Sequence, residues 1–231
     1  MKIVPSGYEI MNPFAEVMTN KNYMTYLVKH IEKIGRTCYK SEDKITETSH
    51  ERFVRGLINR GHTAMIEHAS ITVKFTCDRG ISHEIVRHRV ASFAQESTRY
   101  CNYSKGQFGG EISVIAPPFD NNDPQLSIES LEEYMAWEQA CLEAEKQYFR
   151  LIELGVKPEL ARDVLPTSTK TEVVVTMNLR EWRHFFELRA LDRTGKAHPQ
   201  IKELAIPLLR EFGNYMPCVF GDLSENIIVK E

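Results

Sequence analysis

The chain has 231 residues, 26% of them charged and 42% hydrophobic, with a formal net charge of −3. This length can bury one sizeable core and predicts a single domain over residues 1–231. The slightly acidic balance excludes the broadly basic surface of a general nucleic-acid binder, and apolar runs of only a few residues exclude a membrane partner reached by a spanning helix.

Met1-Lys2-Ile3-Val4-Pro5 does not open as a secretory leader. The five cysteines (38, 77, 101, 141, 218) are odd in number, widely spaced and form no CxxC. A reduced, cytoplasmic protein is expected.

In chain order, Tyr23, Leu27, Ile31 and Ile34 predict a helix ended near Gly35, and Phe53, Leu57 and Ile58 predict a second stopped by Gly61. Ala69 to Cys77 alternates apolar and polar, the pattern of a half-buried strand, and Asp78-Arg79-Gly80 breaks it. Ile81, Ile85 and His88 recur at helical spacing, so a helix is predicted to run to about Val90 with Glu84, Arg87 and His88 on one face. A polar loop carrying Gln95, Ser97 and Arg99 is expected next, and another loop over 117–125. Ser127 to Gly155 reads as a long helix burying Leu131, Tyr134, Met135, Cys141, Leu142, Tyr148, Leu151 and Ile152. Glu159 and Arg162 sit on a short helix with Pro158 near its first turn. Lys170 to Met177 is a valine-rich strand. Asn178 with Glu181 three later forms a capping box opening a helix, and further helices follow, the last beginning near Pro199.

Arg87 to Tyr100 gathers three arginines, a histidine, two serines, a threonine and a glutamine around one acid, Glu96. Guanidinium groups fork onto phosphate oxygens, and hydroxyls can complete the cradle, so the stretch reads as an anion site for a nucleotide phosphate. A charged helix followed by a solvated loop is the plainer alternative. Glu159 and Arg162 read equally well as a surface ion pair. His62, Glu67 and His68 fit no standard zinc spacing, so no metal is assigned.

Arg87-His88-Arg89 followed by Ser97 and Arg99 resembles the signature of the flavin-dependent thymidylate synthases. Gly61-His62-Thr63-Ala64-Met65-Ile66-Glu67-His68, Glu159-Leu160-Ala161-Arg162 with Leu165-Pro166, and Asn178-Leu179-Arg180 through Phe186-Glu187-Leu188-Arg189-Ala190 resemble further segments of that family, in order, over roughly residues 20 to 215. The chain departs from the family's common residues at Ala64, Glu84, Ala94 and Gln95.

The resemblance implies an α+β fold, mainly antiparallel sheet packed with several long helices. It implies FAD-dependent reductive methylation of dUMP to dTMP, with 5,10-methylenetetrahydrofolate as carbon donor, NADPH as reductant and a homotetramer whose sites are shared between subunits. Flavin contacts carried over are His62, Arg87, His88, Arg89, Gln95, Asn178, Leu179, Arg180 and His184. Contacts to dUMP carried over are Glu84, Ile85, Val86, Arg87, Gln95, Glu96, Ser97, Thr98, Arg99, Arg162 and Arg189, with Glu159 orienting Arg162. Arg189 is the residue expected to stabilise the N3-ionised uracil ring, and no cysteine is assigned as nucleophile. Arg189 lies five residues beyond His184, so one helix is expected to address flavin on one side and uracil on the other. A catalytically impaired flavin- or nucleotide-binding relative is the alternative. An RNA-binding module on the Arg/Tyr-rich loop is a third reading, disfavoured by the net acidity.

Overall fold

The computed structural model describes residues 9–99, 103, 110–118 and 128–228. Met1–Pro5, Tyr100, Cys101, Ser127 and the expected loop beyond residue 118 lie outside the described residues.

In chain order the elements are β1 (Glu9–Met11), β2 (Phe14–Val17), α1 (Lys21–Thr37), α2 (Ser49–Asn59), β3 (Ser70–Asp78), α3 (Arg79–Ile85), β4 (Ala91–Gln95), β5 (Ser113–Ile115), α4 (Ile128–Glu153), α5 (Pro158–Ala161), β6 (Lys170–Asn178), α6 (Leu179–Arg189), α7 (Pro199–Tyr215) and α8 (Pro217–Ile228). Four strands form a sheet in the order β2-β3-β6-β4, and β1 pairs in parallel with β5. The β3–β6 pair is antiparallel: Leu179 N donates to Ala69 O, and farther along Thr72 and Thr176 meet through their hydroxyls at 2.9 Å. Helices combined with a mainly antiparallel sheet match the expected class. Among the described residues no helix is long and apolar enough to cross a membrane.

The chain divides into two compact units, one of Met1–Phe14, Thr76–Ile85 and Gln95–Val173, the other of Ala15–Phe75, Val86–Ala94 and Val174–Glu231. In the first, the C-terminal half of α4 supplies the core. Cys141 and Tyr148 are buried with Tyr103, Ile112, Val114 and Ala161. Leu131 and Met135, expected on the buried side, are exposed at 52% and 57%. The apolar stripe reaches a partner only in the later turns of the helix.

The second unit is built on aromatic packing. Trp182, Phe185 and Phe186 of α6 interlock with Phe75 of β3, Phe212 of α7 and Phe220 of α8, at centroid separations of 5.2 to 6.3 Å. Gly35, expected to end α1, lies inside it and is buried. A Cβ there would approach the Phe53 ring to 2.7 Å, so glycine permits the close contact of α1 with α2. Gly61 stops the second helix as predicted, with φ +72°. α7 begins at Pro199 as expected, but α8 follows it.

Candidate active site

α6 starts where β6 ends. The Asn178 side chain accepts from Glu181 N at 2.9 Å, the expected N-cap. The reciprocal half of the capping box is absent, because the Glu181 carboxylate is used elsewhere. The helix has two faces: Leu179, Trp182, Phe185 and Phe186 are buried, whereas Asn178, Arg180 and His184 line an open cavity of about 580 Å³ together with Thr63, Glu67 and Val90. Arg180 Nη1 meets Glu67 Oε1 at 2.6 Å, an exposed pair. Arg183, also on the wall, is held in a fork by Asp222 at 2.7 and 2.6 Å. A second cavity of about 320 Å³ shares Thr63 and Arg180 with the first and adds His62, Met65, Leu57 and Tyr39. One cavity is charged and the other largely apolar. This combination suits a ligand with a flat ring system and an anionic linker, the anion meeting Arg180 near the positive end of the α6 dipole.

His88 is a buried polar side chain, 4% exposed. Its Nδ1 lies 2.9 Å from Glu181 Oε1, and its Nε2 faces Arg189 Nε at 3.4 Å. The His184 ring stands edge-on to it at 5.7 Å. Burial lowers the His88 pKa; Glu181 opposes the shift, and Arg189 and His184 add to it. His88, Glu181 and His184 bring three ligand-type atoms within 4.8 Å of one another. The guanidinium on the other side of the His88 ring opposes a cation there, so the cluster reads as a hydrogen-bonded relay.

Three expectations are corrected here. α3 stops at Ile85, so Glu84, Arg87 and His88 do not share a helical face. Arg87 and Arg89 are exposed on either side of the buried His88. The segment after Val90 is an edge strand, β4, rather than a loop: Ala91-Ser92-Phe93-Ala94 is uncharged, and its backbone pairs along one edge with β6. Arg189 is also not turned away from the flavin-side residues: it and His184 both meet His88. Helical spacing placed them apart, and a side chain from outside α6 joins them.

Gln95, Glu96, Ser97, Thr98, Arg99 and Arg162 fall in the first unit. Gln95 Nε2 donates to Ser82 Oγ at 3.0 Å and Thr171 Oγ1 at 3.2 Å, so its amide is committed inside the fold. Lys170 Nζ lies between Glu96 at 3.2 Å and Glu172 at 3.1 Å. Ser97 Oγ accepts from Arg99 N at 3.3 Å. Arg99 Nε donates to Glu159 Oε2 at 3.1 Å, and Arg162 Nη1 to Thr98 Oγ1 at 3.1 Å. The expected Glu159–Arg162 partnership is therefore replaced by Glu159–Arg99, since Arg162 lies past α5 in a separate 3₁₀ turn. Ser97, Thr98, Arg99 and Arg162 present two guanidinium groups and two hydroxyls. An exposed ion pair is worth at most about 1 kcal/mol, so Glu159 yields Arg99 to a phosphate at little cost. Glu84 and Val86 are half-buried; Ile85 and Leu179 are wholly buried and can meet a ligand only through their backbone.

The sequence reading missed Glu67 and the side-chain role of Glu181. Glu181 lies 93 residues from His88, and its cap position explained it locally. Three of the four described thiols are buried and unsuited to nucleophilic work. Burial pushes Cys77 up to about 12 and Cys218 up to about 11, and raises Cys141. Cys38 is exposed, its Sγ 4.0 Å from Met65 Sδ.

The family model described as thymidylate synthase complementing protein matches residues 22–218. A flavin-dependent thymidylate synthase of Corynebacterium efficiens is 34% identical over 214 residues, covering 84% of this chain and 78% of its own. One from Pyrococcus furiosus is 34% identical over 178 residues, covering 77% and 68%. A crystal structure of the UMP/dUMP methylase PolB from Streptomyces cacaoi, bound with 5-Br dUMP, superposes with a TM-score of 0.72. It is 24% identical and covers 92% of this chain and 95% of that one, a likeness of fold.

Proposed function

Because the chain belongs to the flavin-dependent thymidylate synthase family, we propose that it methylates dUMP at C5 to give dTMP, with 5,10-methylenetetrahydrofolate as carbon donor and NADPH as reductant of FAD. One observation carries the reading at the level of residues. Asn178, Arg180 and His184, which the resemblance assigns to the flavin, line one cavity at the start of α6.

The residues fit a dinucleotide flavin. Arg180 offers charge, and the N-terminal end of the α6 dipole adds to it, for the pyrophosphate, Glu67 being the resting partner that Arg180 gives up. The apolar walls around His62 and Met65 accept a ring. A flavin held there and reduced would supply hydride chemistry for the methyl group. Arg99 and Arg162, with the hydroxyls of Ser97 and Thr98, hold the nucleotide phosphate. Arg189 places positive charge at the uracil edge, favouring the N3-ionised ring whose C5 is electron-rich enough to attack the incoming carbon. His62, Arg87 and Arg89 are the exposed polar groups left to ligands at the surface.

The test is tritium release from C5-labelled dUMP by flavin-loaded protein, given folate donor and NADPH. A yellow protein that forms no thymidylate would favour the impaired relative, and a colourless one that takes up no added FAD would remove the cofactor assignment. We also infer a homotetramer, for which light scattering should give four times the 26.7 kDa chain mass. A variant with all five cysteines replaced by alanine or serine is expected to retain thymidylate formation; folded, flavin-loaded protein with no turnover would reveal a nucleophilic thiol.

A further inference from the structure

His88 has both ring nitrogens engaged, and the partners fix which of them carries the proton. An arginine Nε–H can only donate, so Nε2, facing Arg189 at 3.4 Å, must be the lone-pair acceptor. Nδ1 then carries the proton and donates to Glu181 Oε1 at 2.9 Å. Glu181 is itself anchored, its backbone N–H held by the Asn178 cap at 2.9 Å. Phe185 closes over the ring at 5.1 Å, which keeps the imidazole from swinging.

We propose that His88 is a positioning residue: as the Nδ1–H tautomer it links the Glu181 carboxylate to Arg189 and sets the plane of the guanidinium that faces the uracil ring. The inference rests on the role given to Arg189 above, and it gives His88 a different task from the flavin contact that the resemblance implies. The logic is that of a carboxylate–imidazole pair orienting a third group. Here the third group is a cation rather than a hydroxyl, so the imidazole must stay neutral. A protonated ring would turn an N–H and a second positive charge toward Arg189. The groups facing the ring are Glu181, His184 and Arg189 on α6, and only the first favours protonation. Turnover should therefore hold at neutral pH and fall in acid, at a pH below the ordinary histidine range.

The first test needs no variant. Long-range ¹H–¹⁵N spectra of the flavin-loaded protein, labelled in histidine, should show the His88 signal (identified by its absence in H88N) with Nδ1 protonated and Nε2 bare. The opposite tautomer overturns the proposal. The second test is a double-mutant cycle. His88→Asn keeps a donor near Glu181 and loses the acceptor for Arg189, and should lower kcat for thymidylate by about 10- to 100-fold with flavin content unchanged. His88→Gln, which restores an acceptor near the Nε2 position, should recover part of the loss and abolish the acid limb of the pH profile. In an Arg189→Ala background, adding His88→Asn should cost nothing more; an additive loss overturns the proposal. Loss of flavin in His88→Asn but not in Arg189→Ala also overturns it, in favour of direct flavin contact. Native turnover in Arg189→Ala alone would remove the catalytic role of Arg189 and the proposal with it, whereas the wrong tautomer would remove the proposal and leave that role standing.

Discussion

Replacing Arg189 with alanine is expected to lower thymidylate formation at saturating nucleotide by about 10²–10³-fold, the usual loss of one well-placed donor to a developing anion. The protein should still bind FAD and still oxidise NADPH slowly, because Arg189 does not line the cavity at the start of α6. If Arg189 only held substrate, its loss would raise KM and spare kcat. Arg189→Lys is the sharper variant: it keeps the charge and loses the planar fork and the Nε–H that meets His88, so rescue should be partial. A structural side effect is also expected. Without Arg189, the positive charge that helps to depress His88 is gone, and the His88 pKa moves back toward its ordinary value. The depressed pKa makes the fold lose stability as pH falls from the ordinary value toward the lowered one; in Arg189→Ala this acid loss should shrink. Steady-state kinetics and denaturation at two pH values check both effects. Near-native kcat in the alanine variant would reduce Arg189 to a binding residue.

What the sequence disclosed follows the range of the interactions. β3 and β6 were legible because period-2 alternation and valine content are local signals, and so was the Asn178 cap, whose partner is three residues away. α3 was overextended because Val86 to Val90 continues a helical apolar spacing while the chain in fact turns to enter the sheet edge as β4. Gly35 misled because a glycine near a helix end usually marks a cap, whereas here it lies inside the last turn of α1 against the Phe53 ring of α2. The donor-rich stretch was read as one site. The fold distributes it: His88 goes to the buried relay with Glu181, and Gln95 to Arg99 go to the other unit. No local pattern announces that division, because it is made by partners 60 to 93 residues away.

Trp182 carries the second large expected effect, since it ties the core to the site. It is fully buried, its Nε1–H donates to Ile71 O at 3.1 Å, and its ring is packed by Phe185, Phe186 and Phe212. Trp182→Ala opens a large cavity and strands the Ile71 carbonyl, a combined cost of about 3–5 kcal/mol or more. Against a typical total stability of about 5–15 kcal/mol that is a large share. Trp182→Phe keeps most of the aromatic packing and loses the hydrogen bond and part of the ring volume, so about 1–3 kcal/mol is expected. The functional consequence comes from the geometry of α6. Trp182 lies on the inner face that Leu179, Phe185 and Phe186 share, whereas Arg180 and His184 look out into the cavity. A helix that loses its inner anchor loses the position of its outer face, so flavin retention should fall in Trp182→Ala and hold in Trp182→Phe. Urea unfolding at one fixed protein concentration, read alongside flavin absorbance, measures both; an alanine variant within about 1 kcal/mol of native stability would show that α6 is held by something other than its aromatic face.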